Sequence, residues 1–263
     1  MSNQSLLQYL SIALPVVPVQ GTAPSQKTTN PRYDTEDITE IVPWPELSYA
    51  TIIQQYGGIL SSKQMVPDPF PSPPNAVRDK HHFLSRFADL LLPRVRRALR
   101  AGFEELAPQL RQLNLVPISF DGGGSAAYVN EVRSDTAFFS IGDTDANTKN
   151  RAPGFLTVSS KWHSDYQNSA DPILQDEYTQ VLSEVNFYMS QHNARHGFVL
   201  TNAELVAIKR LDGDGRVAVS RSIPWGAGGH GELTVLMGLW YIGMLASEEA
   251  NWALQTSHPG LVK

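Results

Sequence analysis

Apolar residues recur at intervals of three and four between residues 83 and 106. Phe83, Phe87, Leu90, Leu91, Val95, Leu99, Phe103 and Leu106 share one face, which predicts a long amphipathic helix. Pro93 within that pattern predicts a kink or a restart. A shorter helix is predicted from Glu46 to Tyr56, stopped by Gly57-Gly58. Beyond Leu115 the texture changes. Val116 to Phe120, Tyr128 to Val132, Thr136 to Ile141 and Phe155 to Ser160 are short β-branched or aromatic runs and read as strands. Polar residues 142–152 read as a loop. Helical spacing returns over 172–192, with Leu174, Tyr178, Val181, Leu182, Val185, Tyr188 and Met189 on the inner stripe. Phe198 to Thr201 and Leu205 to Leu211 read as a strand pair turned by Asn202-Ala203. Val217 to Ile223 pairs back through Asp212 to Gly215, and an apolar helix from Leu233 to Ala246 closes the chain. There is no internal repeat.

This pattern divides the chain into an N-terminal apolar segment with a flexible linker (1–40), a helical extension (41–112), an α/β core (113–250) and a tail (251–263). The linker reading rests on the polar, turn-rich residues 20–38. Pro67 to Pro74 forms a second, stiffer break that reads as a surface crossing or a docking segment for a partner. Leu6 to Val19 is apolar, but it lacks a basic start and is interrupted by Gln8, Tyr9, Ser11, Pro15 and Pro18. That is a poor match to a signal peptide. No run approaches the roughly 18 apolar residues needed to cross a bilayer, so no membrane partner is expected.

The net charge is -5, which gives no overall attraction to nucleic acid or anionic membrane. Any such surface would be a local patch. Arg86, Arg94, Arg97 and Arg100 lie opposite the apolar face of the long helix, with Arg96 and Arg111 nearby. They read as phosphate contacts or as a solvated face, and Arg94, Arg97 and Arg100 are the nucleic-acid-binding candidates. The absence of cysteine excludes disulfides and thiolate zinc sites, and accords with an intracellular, cytoplasmic or nuclear, location.

Several motifs carry little. Gly226 to Gly231 matches G-x-G-x-x-G, but the second strand with its acid is missing downstream. Asp212-Gly-Asp214-Gly215 lacks the later ligands of a calcium loop and reads as a hairpin turn. Ser125 sits outside any nucleophile elbow. His192 and His196 have i,i+4 spacing at a helix end expected to stop at Gly197, which makes a poor zinc site.

Residues 135–210 hold the informative constellation. An acid, Asp135, opens one strand, and Lys161-Trp162 follows the next. A helix then carries Gln180 and Tyr188, and Gly197 to Lys209 supplies a strand–turn–strand. With Arg133-Ser-Asp135, Pro153 to Trp162, Tyr178 to Met189 and Gly197 to Ile208, residues 120–246 resemble the PD-(D/E)xK, restriction-endonuclease-like superfamily, particularly its fungal nuclease-like modules. The resemblance implies a small mixed sheet flanked by helices, with the helix at 83–106 leading it. It implies Mg²⁺- or Mn²⁺-dependent hydrolysis of DNA or RNA phosphodiesters. By that likeness Asp135 is the metal ligand and catalytic acid, Lys161 the water-positioning cation and Gln180 a supporting contact.

The pattern departs in one place. The second acid should stand two residues before the lysine, so that both side chains leave the strand on one side. Ser159 stands there instead. In the other register, Phe155-Leu156-Thr157, both acid and lysine are missing. Glu104, Glu131, Asp143 and Asp145 are candidate replacement acids. The rival expectation is a catalytically inactive nuclease-like module that binds a protein partner. A small-molecule enzyme of a fungal biosynthetic pathway is a third.

Overall fold

In the computed structural model, residues 3–21, 30–70, 72–129, 132–143 and 147–254 are described. The chain opens with β1 (Gln4–Ser5) and α1 (Leu6–Leu10), where Ser5 and Gln8 form a reciprocal capping box. Next come β2 (Glu40–Pro43), α2 (Tyr49–Ser62) and β3 (Gln64–Met65). Helix α2 starts at the Ser48 cap, later than expected, and runs past Gly57 and Gly58. Burial of Leu60 beyond the glycines holds the helix where local propensity would end it.

The long apolar pattern forms two helices, α3 (Lys80–Leu90) and α4 (Leu92–Leu106), restarting at Pro93 as expected. Strands β4 (Ile118–Gly122), β5 (Thr136–Ser140) and β6 (Gly154–Leu156) then form an antiparallel meander. Between β4 and β5 the expected strand at 128–132 reduces to a bridge between Val129 and Val132, residues 130 and 131 lying outside those described. Helix α5 (Pro172–His192) crosses over to β7 (His196–Leu200), which pairs parallel to β6. The helix ends at Asn193, in the left-handed region at φ 57°, rather than at Gly197. His192 and His196 therefore belong to different elements and do not form a helical pair.

Strands β8 (Glu204–Arg210) and β9 (Arg216–Val219) continue antiparallel. β10 (Ile223–Pro224) returns to the start of β8, so the run expected at 217–223 is two strands parted at Ser220. Helix α6 (Val235–Ser247) follows. The sheet order is β2-β9-β8-β7-β6-β5-β4, with β2 parallel to β9.

Two apolar clusters sandwich this mixed sheet. Leu156, Phe198, Leu200, Leu205 and Ala207 face α4, α6 and the N-terminal helices. Phe155, Val199, Val206 and Ile208 face α5. The period-two alternation of the strands assigns each residue to its layer. Helix α6 is apolar on nearly every side and is correspondingly buried on nearly every side. The N-terminal segment is packed into the first layer through Leu6, Tyr9, Leu10, Leu14 and Val17. No helix among the described residues is long and apolar enough to cross a membrane.

Candidate functional site

Asp135 immediately precedes β5. Its N–H donates to the carbonyl of Gly154 at 3.0 Å, and its carbonyl accepts from Gly123 N at 2.9 Å, so the backbone is held from both sides. Its Oδ2 accepts the Leu156 N–H at 2.8 Å and pairs with Lys80 Nζ at 2.8 Å. Lys80 is the first residue of α3 and reaches across from the other layer of the fold. Its ammonium also lies 4.4 Å from the centre of the Phe155 ring, a cation–π contact.

Beside this pair is a cleft of about 240 Å³ bordered by Lys80, Phe155, Thr157, Lys161, Gln180 and Glu184, with Tyr33, Trp162, Glu177 and Val181 completing it. Residues 177, 180, 181 and 184 follow i, i+3, i+4, i+7 and present one face of α5 to the cleft. Glu184 accepts a hydrogen bond from Tyr188 OH at 2.7 Å. Burial raises the Glu184 carboxyl above its ordinary range, opposed by the Tyr188 hydrogen bond and the Lys80 charge. The hydroxyls of Tyr188 and Tyr33 are also raised, first by burial and then by the neighbouring Glu184 charge.

Lys161 and Gln180 both reach this cleft, but not in the arrangement inferred from the sequence. Strand β6 ends at Leu156, and Lys161 lies in a turn whose N–H donates to Val158 O at 2.9 Å. Ser159 and Lys161 are therefore outside the strand, and the same-side argument for i and i+2 does not apply to them. Lys161 is exposed and forms no ion pair with any described residue. Gln180 Nε2 donates to the carbonyl of Tyr33 at 3.2 Å, closing one wall. Phe155 and Thr157 are the β6-side residues that line the cleft next to Asp135 and Lys80.

The replacement acids lie elsewhere. Glu104 pairs with Lys63 at 2.9 Å on the surface of α4. Asp143 is exposed beyond β5, and Glu131 and Asp145 lie outside the described residues. The acids that line the cleft are Glu177 and Glu184, which the sequence reading overlooked. Their signal was present: both flank the apolar stripe of α5, seven residues apart. Lys80 had no local signal. Among the described residues, no group of three or more His, Asp or Glu side chains comes together in a way that could hold a metal ion.

The arginine row also divides. Arg94 is buried, donating to Leu90 O at 2.9 Å and Asp68 O at 3.0 Å, with its guanidinium 3.9 Å over the Phe70 ring. It fastens the proline-rich segment to α4 and is not available on the surface as a phosphate contact. Arg97 is exposed and pairs with Asp68 at 3.3 Å. Arg100 is exposed and borders a shallow depression with Lys63 and Glu104.

No family model matches the chain, and neither a curated protein nor a solved structure matches it. What the molecule shows on its own terms is an α/β protein with a mixed eight-stranded sheet flanked by helices, and a small charged cleft between β6 and α5.

Proposed function

We propose that this chain is a restriction-endonuclease-like module that no longer hydrolyses phosphodiesters and serves as an interaction or regulatory protein. The order of elements supports the nuclease-like part. A leading helix α4, the meander β4–β5–β6, the crossover α5 and a parallel β7 follow the arrangement that the resemblance implies. Asp135 stands at the opening of the second strand of that set, beside the cleft.

One observation carries the loss of hydrolysis: the Asp135 carboxylate is paired with the Lys80 ammonium at 2.8 Å, next to Phe155 and Thr157. In the 155–157 register these are the positions for the second acid and the lysine. A phenyl ring and a hydroxyl bring no charge to a hard cation such as Mg²⁺, which needs several oxygen ligands. A lysine bound to the remaining acid already supplies one positive charge, and a dication beside it would be repelled. The donor set around Asp135 thus suits a fixed ammonium and does not suit Mg²⁺ or Mn²⁺. DNA, RNA or a protein partner remains the class of molecule such a module would engage.

The test is a cleavage assay on single- and double-stranded DNA and RNA with Mg²⁺ and Mn²⁺, beside a calorimetric titration with Mn²⁺. Wild-type protein is expected to neither cleave nor bind Mn²⁺ saturably. The double variant Lys80→Met, Phe155→Asp, which frees Asp135 of the ammonium and adds a second carboxylate, is expected to gain Mn²⁺ binding that a further Asp135→Ala abolishes. Wild-type cleavage that disappears in Asp135→Ala would overturn the reading and return Asp135 to a catalytic role.

A further inference from the structure

A cavity of about 680 Å³ lies between α2, the turns that follow α4 and the chain just after α6. Leu106 and Leu115 on its wall belong to the apolar layer on the other side of the sheet from α5, so it is separate from the cleft around Asp135. Its volume is in the range that small ligands occupy. The walls are already formed. Asn114, at φ 53°, turns the chain after α4, and its carbonyl accepts the Glu249 N–H at 3.1 Å. The Val116 N–H donates to Ser247 O at 2.9 Å, which fastens the same turn to the end of α6.

Helix α2 orders the chemistry along one wall, where Tyr56, Ile59 and Ser62 follow one another at intervals of three. At the Ser62 end, its Oγ donates to Glu105 Oε1 at 2.9 Å, which places that carboxylate. At the Tyr56 end stands Glu248. Burial, and then the Glu248 charge, raises the pKa of the Tyr56 hydroxyl, so acid and phenol are neighbours. Ile59 lies between the two ends, and Leu106, Leu113 and Leu115 add to the apolar wall. The helical rise puts Tyr56 and Ser62 about 9 Å apart along the axis. The order is therefore acid, apolar stretch, acid.

Charge narrows the occupant. Glu105 and Glu248 are both half-buried and line the cavity, and neither forms an ion pair with any described residue. Glu248 accepts from Asn251 Nδ2 at 3.0 Å, a neutral donor like Ser62. No lysine, arginine or histidine is among the described residues of the lining. The Tyr56 hydroxyl is open to solvent and makes no hydrogen bond with any described residue, which leaves its oxygen free to accept beside Glu248. Two carboxylates that share a partly enclosed space without a cation attract positive charge to it. We propose that this cavity binds an aliphatic diamine or polyamine. One ammonium pairs with Glu105, the other with Glu248 and the Tyr56 hydroxyl, and the carbon chain lies along Ile59. A bare metal ion does not suit the site, because its ligands must stand within about 2.6 Å of one point.

Calorimetric titration of the full chain with cadaverine and with spermidine tests this, beside pentylamine and pentanediol as analogues lacking one or both ammonium groups. At least one of the two amines is expected to bind saturably. Pentylamine is expected to bind about tenfold more weakly, since it loses one charged hydrogen bond, and pentanediol not at all. Glu105→Gln and Glu248→Gln are each expected to weaken the diamine about tenfold, to the level of pentylamine. Glutamine still accepts from Ser62 or Asn251, so both variants are expected to melt like wild type without ligand. Glu232→Gln, which removes an exposed acid before α6, is expected to bind like wild type. The proposal is overturned if neither amine binds, if pentylamine binds as tightly as cadaverine and spermidine, or if Glu232→Gln weakens binding as much as Glu105→Gln. The last result would assign the attraction to net charge.

Discussion

His196 shows how one residue imposes a pH limit on the whole molecule. Its ring is stacked on Trp44 at 5.6 Å, and its Nδ1 is buried without a hydrogen-bond partner. Burial, reinforced by the charges of Lys209 and Arg195, lowers its pKa from 6.5 to about 3. Burial, then the Lys149 charge, lowers that of His192 from 6.5 to about 4, and its Nδ1 accepts the Asn150 N–H at 3.3 Å. The fold holds both rings neutral. Their contribution is therefore complete above pH 6.5 and is lost as the pH falls from there toward the folded values. Thermal melts are expected to show a melting temperature that declines over that window, and less steeply in His196→Phe, which keeps the ring stack but cannot take up a proton. An equally steep decline in the variant would assign the acid sensitivity to other groups.

Among the elements, β6 is the shortest strand of the central meander and the most constrained. Gly154 is squeezed between β5 and β7, where an added methyl would collide with the Phe198 ring and the Thr136 hydroxyl. Its carbonyl also accepts the N–H of Asp135, so displacement of β6 would pull the acid away from Lys80. Gly154→Ala is expected to destabilise the protein by about 3 kcal/mol or more, at the upper end for overpacking, because the contacts come from both flanking strands. Gly58 provides the contrast. It lies inside α2 with no heavy atom within 4 Å of an added methyl. Gly58→Ala is expected to stabilise by about 0.5–1 kcal/mol through helix propensity. Urea unfolding of the two variants checks both values, and a mild effect at Gly154 would mean that the sheet accommodates the strain.

At the scale of the whole molecule, the N-terminal segment is part of the main core. Leu6, Tyr9, Leu10, Leu14 and Val17 are each no more than 4% exposed. The carbonyl of Pro15 accepts from Trp225 Nε1 at 2.8 Å, and Gly228 is pressed against Ala13 with no room for a side chain. At about 1.5–3 kcal/mol per buried side chain, these five contribute on the order of 10 kcal/mol. That is comparable to the net stability of an ordinary domain, about 5–15 kcal/mol. Deleting residues 1–19 is expected to abolish the cooperative thermal transition and the near-ultraviolet circular dichroism. A truncated chain that still melts cooperatively would show that the segment only decorates the fold.

The sequence by itself determined the elements whose periodicity is strong. The three-to-four spacing at 83–106 and 172–192 gave the helices, Pro93 the restart between α3 and α4, and the β-branched runs most of the sheet. It also singled out Asp135, because an acid opening a strand is visible locally. Tertiary structure alone decided what that acid does. Lys80 meets it from another layer, and nothing in the local sequence encodes a pairing across the fold. The facing of β6 was likewise undecided, since alternation in so short a strand is set by its neighbours. They turned Phe155 and Thr157 toward the cleft and left Lys161 in a turn. Arg94 resembled its surface neighbours until the carbonyls of the proline-rich segment closed over it. Periodicity fixes which face of an element is buried, whereas charge pairing depends on which distant residues that burial brings together.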